Sequence, residues 1–455
     1  MSIKIRLTLL SFMQFFVWGA WLITIATYFF TNNMGTGAQF GAIFSTLAIA
    51  SFFMPPLTGI LADKWINAER LYGLLHILYG LVLFYVPVVK DADTLYYVIL
   101  VAMLFYMPTI SLSNAVSYAI LKSRGLDVVK EFPPIRVWGT IGFIVAMWFT
   151  NLSGSKATAD QFLIAGAGAI LLGIYAFTLP ACPPQKKIAA GASWVEQLGL
   201  NAFKLFAKYK MALFFLFSML LGAALQLTNM YGDTFLDDFR KVPAYGPESF
   251  VVKYSTIIMS ISQISETVFI LTIPFFLRRF GIKKVMLFSM IAWFLRFGLF
   301  AYGDPGNALW MIIISCIVYG MAFDFFNISG SLFVETTTDA NMRSSAQGLF
   351  MMMSNGLGAF LGSLASGYII DRFFTLKFTT MNALLGHVGA DAQHPVVKSI
   401  LADITVLGDG SLSAPVFLKD WQPIWIAFSL YAAVIAILFL VLFKHKHDPN
   451  TSVQS

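Results

Sequence analysis

The sequence predicts an all-α integral membrane protein with twelve transmembrane helices in two six-helix halves. Three observations carry this reading. The 455 residues are 58% hydrophobic and only 12% charged, about half the charge of a soluble domain. Apolar runs long enough to cross a bilayer recur along the chain, separated by short polar connections. The second half of the chain repeats, weakly, the landmarks of the first.

The spans run roughly over 7–30, 37–62, 71–89, 95–121, 134–152, 160–181, 211–232, 255–277, 285–302, 308–333, 345–370 and 422–443. The first looks like a signal sequence, but its apolar run continues through Tyr28 with no small-residue cleavage site, so it reads as a membrane helix. Two connections are long. Residues 183–210 contain PPQKK and an amphipathic stretch, SWVEQLGLNAFKLFAKYK; residues 371–421 separate the last two spans. The expected organisation is a first bundle over 1–182, a cytoplasmic linker over 183–210, and a second bundle over 211–455 that carries the long extracytoplasmic loop 371–421.

Twelve spans put both termini on one side. Of the thirty Lys and Arg, twenty fall in loops on that side, nine on the other, and Arg296 within a span. This bias places both termini in the cytoplasm. The net charge of +7 is therefore a topology signal and gives no indication of nucleic-acid binding. Cys182 and Cys316 sit far apart, and neither they nor the five His residues show metal-ligand spacing. A membrane-embedded enzyme would need a nucleophile or metal cluster that the sequence lacks.

The internal echo is specific in places. Tyr106 precedes Asn114 by eight residues, as Tyr319 precedes Asn327; Arg136, Thr140 and Phe143 share their spacing with Arg343, Gln347 and Phe350. Short charged loops, DKWINAER and RRFGIKK, follow the second and eighth spans. This six-plus-six parallel repeat is the architecture of major facilitator transporters. The segment GILADKWINAER resembles that superfamily's signature at Gly59 and Asp63, with its later basic positions degraded.

The polar residues that interrupt the spans point to a site. Residues 255–277 carry one formal charge, Glu266, with Gln263 three residues earlier on the same helix face. A charge at that depth costs about 2.5–3.5 kcal/mol on insertion scales and marks function by default. Asp324 carries the same argument in the tenth span. Gln226 and Asn229 lie three apart in the seventh span; Tyr319, Phe323 and Asn327 recur at four-residue steps in the tenth; Arg136, Thr140 and Phe143 open the fifth. Amides, aromatics and a few charges near the midplane suit a polar, neutral, ring-containing solute. That chemistry leaves nucleosides and sugars both open.

The segments FPPIRVWGTIGF, FSMLLGAALQLTNMYG, MSISQISETVFILTIPFFL and VYGMAFDFFNISGSLFVE resemble the nucleoside:proton symporters of the major facilitator superfamily, and the resemblance covers nearly the whole chain. It implies nucleoside uptake into a bacterial cell across the inner membrane, with the proton as coupling ion, no other cofactor and a monomeric working unit. It further implies that Arg136, Thr140, Phe143, Gln226, Asn229, Gln263, Glu266, Tyr319 and Phe323 line the nucleoside site, and that Asp324 belongs to the functional core beside Glu266 in proton coupling. The chain departs from the family pattern in the longer 371–421 segment. A different substrate in the same fold (a sugar, or xanthosine alone) and a sensor that binds without transporting are the alternatives.

Other residues read as structural. Arg136 stands near a helix start, where Arg ordinarily snorkels to headgroups, and only the resemblance draws it into the site. Arg296 is expected to pair with a buried acid or to snorkel. His76 reads as a core histidine, Trp18 and Trp21 as packing or interface anchors, and Asp233 and Asp237 as solvated charges at a helix end.

Overall fold

The computed structural model describes residues 2–184, 200–339, 342–402 and 404–445. Of the amphipathic stretch expected at 193–210, residues 193–199 lie outside the described residues, while Leu200–Ala207 form a 3-10 helix that buries Ala202 and Leu205; of Asp63 only the backbone is described.

The first six passes are α1 (Ile3–Gly19) continued by α2 (Ile25–Thr31), then α3 (Gly37–Lys64), α4 (Ala68–Leu83), α5 (Ala92–Ser123), α6 (Val128–Leu152) and α7 (Asp160–Ala176). The second six are α8 (Tyr209–Asp238), the two arms of α9 (Ser255–Tyr302), α10 (Leu309–Thr337), a composite helix and α15 (Trp421–Leu442). The composite pass joins α11 (Arg343–Met351), a π-helical segment (Met352–Gly358) and α12 (Ala359–Phe373).

The 48 residues of α9 form a hairpin. Gly281 has φ 76°, a left-handed conformation that glycine adopts without steric cost. Arg296 Nη1 then comes within 3.3 Å of Ser262 Oγ. A straight helix would hold these residues about 50 Å apart, at 1.5 Å rise per residue.

Twelve passes bring His445, the last described residue of the second half, back to the end of the bundle where α1 begins, and the 371–421 connection, which follows the eleventh pass, lies at the other. That connection is a small folded unit. β1 (Thr375–Thr380) pairs antiparallel with β2 (Ser411–Lys419), and α13 (Met381–Val388) and α14 (Pro395–Ile400) fill the turn between them. Leu384, Leu412, Val416 and Leu418 form its own apolar core.

The two halves are tied together at this loop end. Thr27 Oγ1 donates to Asp233 Oδ2 at 2.7 Å, and Trp148 Nε1 to Ser260 Oγ at 2.8 Å. Lys156 Nζ pairs with Asp237 Oδ1 at 2.8 Å and donates to the Val252 carbonyl at 2.6 Å. Asp233 and Asp237 are thus not solvated charges. They are 1% and 3% exposed, because their partners come from the facing half and from α9. Glycines let the backbones of α3 and α12 meet nearby: a Cβ on Gly41 would lie 2.5 Å from the Ser363 carbonyl, and one on Gly367 2.5 Å from the Gly37 carbonyl. Towards the terminus end the helices part, and Gly59 and Gly348 each face open space.

Lys419, the last residue of β2, plugs this seam. Its ammonium sits 3.4 Å from the centroid of Phe30, which belongs to the other half, and Asp238 beside it is held by Trp421 Nε1 at 3.0 Å. Burial pushes the Lys419 ammonium from its ordinary 10.5 down to about 8, against the opposing pull of Asp238. Between pH 8 and 10.5 the folded chain then binds fewer protons here than the unfolded one, so stability rises with pH across that window. The melting temperature of the detergent-solubilised protein, measured from pH 7.5 to 10 against that of Lys419→Met, is expected to gain relative to the variant as pH rises. A difference that does not change with pH contradicts this placement.

Candidate functional site

A cavity of about 350 Å³ lies between the halves, within the size range of small-molecule sites. Its first wall comes from α6. Arg136, Thr140 and Phe143 are spaced i, i+4, i+7, which puts them on one helix face, and all three line the cavity. The Arg136 guanidinium lies 4.1 Å over the ring of Phe15 on α1. It therefore does not snorkel; the third turn of α6 turns it inward. Phe143 meets Trp18 edge-on, with centroids 6.1 Å apart.

The second wall comes from α8, α9 and α10. Gln226 and Asn229, then Gln263 and Glu266, then Tyr319 and Phe323 all reach the same space. The Tyr319 and Phe323 rings are parallel within 6°, with centroids 6.0 Å apart. Gln263 Oε1 is buried with no hydrogen-bond partner among the described residues. Arg136 and Glu266 bring opposite charges to the cavity from opposite halves.

Nine of the ten residues singled out in the sequence thus converge on one cavity. The tenth, Asp324, does not line it. It is buried behind Phe323, and its Oδ2 lacks a partner among the described residues. Asn327, one turn further along α10, borders a small void of about 20 Å³ beside the main cavity.

Among the described residues Arg296 pairs with no acid, and it does not snorkel. It is fully buried, donates from Nη1 to the Ser315 carbonyl at 2.8 Å, and holds its guanidinium 4.5 Å over Tyr319. The face of an aromatic ring attracts a cation, so Arg296 backs the Tyr319 ring from behind the cavity. His76 is fully buried against Tyr72 and Tyr106, as a core histidine would be. Trp21 packs in the core, with Nε1 donating to Tyr79 at 2.7 Å. Trp18, by contrast, lines the cavity with Phe15 and Asn355. Sequence reasoning missed these three in the site. Phe15 and Trp18 sit in an unbroken apolar helix, where no polar interruption flags them. Asn355 follows Ser354 within MMMSNGLG, a pair of polar residues in an otherwise apolar span, and that interruption is its sequence signal. Among the described residues no group of three or more His, Cys, Asp or Glu could hold a metal ion.

Twelve passes in two halves, closed against each other at one end around a midplane cavity, define a secondary transporter of the major facilitator type. Residues 1–448 match the Nucleoside H+ symporter family, and the chain belongs to that family. It is 48% identical to the xanthosine permease of Escherichia coli K12, over 99% of this chain and 98% of that one. It is 46% identical to the nucleoside permease NupG of the same organism, over 98% and 97%. A crystal structure of a NupG point mutant superimposes with a TM-score of 0.85 at 44% identity, covering 97% of this chain and all of that one. These relatives are permeases, and this protein is a transporter rather than an enzyme.

A buried carboxyl with an unpartnered oxygen carries a desolvation cost of about 1–3 kcal/mol. Asp324→Asn keeps the shape and removes the ionisable group. In substrate-free protein this variant is expected to melt at or above the wild-type temperature; a melting temperature several degrees lower would mean that the carboxylate is paired and structural.

Proposed function

We propose that the protein takes nucleosides up across a bacterial inner membrane as a monomer, with both termini in the cytoplasm. The excess of Lys and Arg on the terminus side supports that orientation. The loop-end seam then seals the cavity from outside, and the conformation is inward-facing. Two bundles over 1–182 and 211–455, joined by the 183–210 connection, rock about the cavity.

The observation that carries the reading is the convergence of nine residues from both halves on one space. The amides of Gln226, Asn229 and Gln263 can donate to and accept from a base edge. Tyr319 and Phe323 offer parallel faces to a flat base. Glu266 can accept from ribose hydroxyls, and Arg136 faces it from the other half. Protons enter through Glu266, half-buried in the cavity wall, and Asp324, buried in the same half. One proton moving through 100 mV supplies about 2.3 kcal/mol, equal to roughly fifty-fold accumulation of solute. Coupling requires that the protonated, loaded carrier reorients readily while the carrier with a proton alone does not.

One relative is named a xanthosine permease, which makes restriction to xanthosine the second reading. Competition binding with uridine, adenosine, xanthosine and a disaccharide separates the two. Displacement by several nucleosides supports broad recognition, and displacement by xanthosine alone supports the narrow reading.

Two outcomes follow for variants in proteoliposomes. Asn229→Ala and Gln263→Ala are each expected to weaken nucleoside binding about two- to tenfold, the net worth of a neutral hydrogen bond, with folding intact. Normal affinity in both removes the amides from the site. Glu266→Gln or Asp324→Asn is expected to abolish gradient-driven accumulation while exchange of substrate persists. Full accumulation in both variants would overturn the proton assignment.

A further inference from the structure

The eleventh pass is not α-helical throughout. Met352–Gly358 form a π-helix between α11 and α12. Such segments are rare, and frequently sit at functional sites. This one is fixed by backbone contact with α8. A Cβ on Gly222 would fall 2.0 Å from the Ser354 carbonyl oxygen, and one on Gly358 would fall 2.3 Å from the Met219 carbonyl oxygen. No side chain fits between the two helices, so α8 grips the π segment by its main chain.

The consequence falls on Asn355, in the middle of the segment. One residue more or fewer in the preceding turns would swing its side chain about 100° around the helix axis. In the π register Asn355 lines the main cavity together with Gln226 and Phe323, and it also borders the small void that Asn327 lines. Its side chain is exposed to that space. Its amide makes one weak contact, from Nδ2 to Met351 Sδ at 3.6 Å. Among the described residues the carbonyl oxygen and the second N–H have no partner, and a side-chain amide can use both at once on a ligand.

We infer that Asn355 is a further substrate-contacting residue, a fourth amide in the cavity held there by the π-helical segment, and that it selects among nucleosides through a hydroxyl or base-edge group. The inference rests on the cavity being the nucleoside site. It adds a contact from the eleventh pass, which none of the sequence motifs placed in the site. The chemistry is that of a neutral donor–acceptor pair, so the contact is worth about two- to tenfold in affinity.

The test is a binding cycle on the full-length protein, with uridine, 2′-deoxyuridine, 3′-deoxyuridine, 5′-deoxyuridine and 3-methyluridine as probes. Asn355→Ala is expected to weaken uridine binding about two- to tenfold at unchanged melting temperature. For one analogue, the one that lacks the group Asn355 contacts, the variant and the wild type are expected to bind alike. Asn355→Gln, which keeps the amide on a longer stem, is expected to recover part of the loss. Unchanged affinity for every probe in Asn355→Ala overturns the inference alone, while the cavity reading stands on wild-type binding. An equal loss for every probe, or a lowered melting temperature in both Asn355→Ala and Asn355→Ser, assigns Asn355 to packing and overturns it as well. Wild-type protein that binds no nucleoside overturns the site reading and this inference together.

Discussion

Hydrocarbon offers no hydrogen bonds, and this constraint organises the protein. Arg136, Glu266, Arg296 and Asp324 all lie within apolar helices, and each costs about 2.5–3.5 kcal/mol at the centre of a bilayer on insertion scales. The helices that carry them can therefore present those faces only to one another or to a wet space. Arg136 and Glu266 come from opposite halves and share the cavity. Arg296 turns away from it, donates from Nη1 to the Ser315 carbonyl and lies over the faces of Tyr319 and Phe300, with Nη2 lacking a partner among the described residues. Asp324 is buried as well, and its Oδ2 lacks a partner among the described residues.

The same constraint explains how the halves close. At the loop end the chain places buried acids, Asp233 and Asp237, where Thr27, Thr256 and Lys156 can meet them. Glycines bring α3 and α12 into backbone contact beside them. The hydrogen bonds and ion pairs of this seam can be replaced by water when it parts, and the contacts of Phe30 and Phe40 with Tyr231 are its apolar part. The folded unit between the last two passes adds Lys419 to that seam, over Phe30. The long connection is thus part of the closure as well as a surface feature.

Much of this was legible in the sequence, for a physical reason. A membrane helix is uniformly apolar unless something forces an exception, so each exception carries information. Glu266, Gln263, Gln226 and Asn229 stand out on that ground, and the family resemblance supplied Arg136, whose position near a helix start argues against it. The same logic fails where the signal is not polar: Trp18 and Phe15 look like any other aromatics in α1. It fails at Asp233 and Asp237, because a charge near a helix end reads as solvated unless the facing half is known. It fails at Arg296, whose partner is an aromatic face and a carbonyl rather than an acid. The π-helical segment leaves no periodic trace that seven residues could reveal. The β hairpin of 371–421 was not foreseen, since its strands are separated by some thirty residues.

The measurement that bears most directly on the account is uptake of radiolabelled uridine into proteoliposomes, with and without an inward proton gradient. The account predicts saturable uptake that exceeds equilibrium only when the gradient is present and collapses when a protonophore dissipates it. Uptake that merely equilibrates, with or without the gradient, would contradict the coupling of Glu266 and Asp324 to transport. Absence of saturable uptake by folded protein would contradict the assignment of uridine to the cavity.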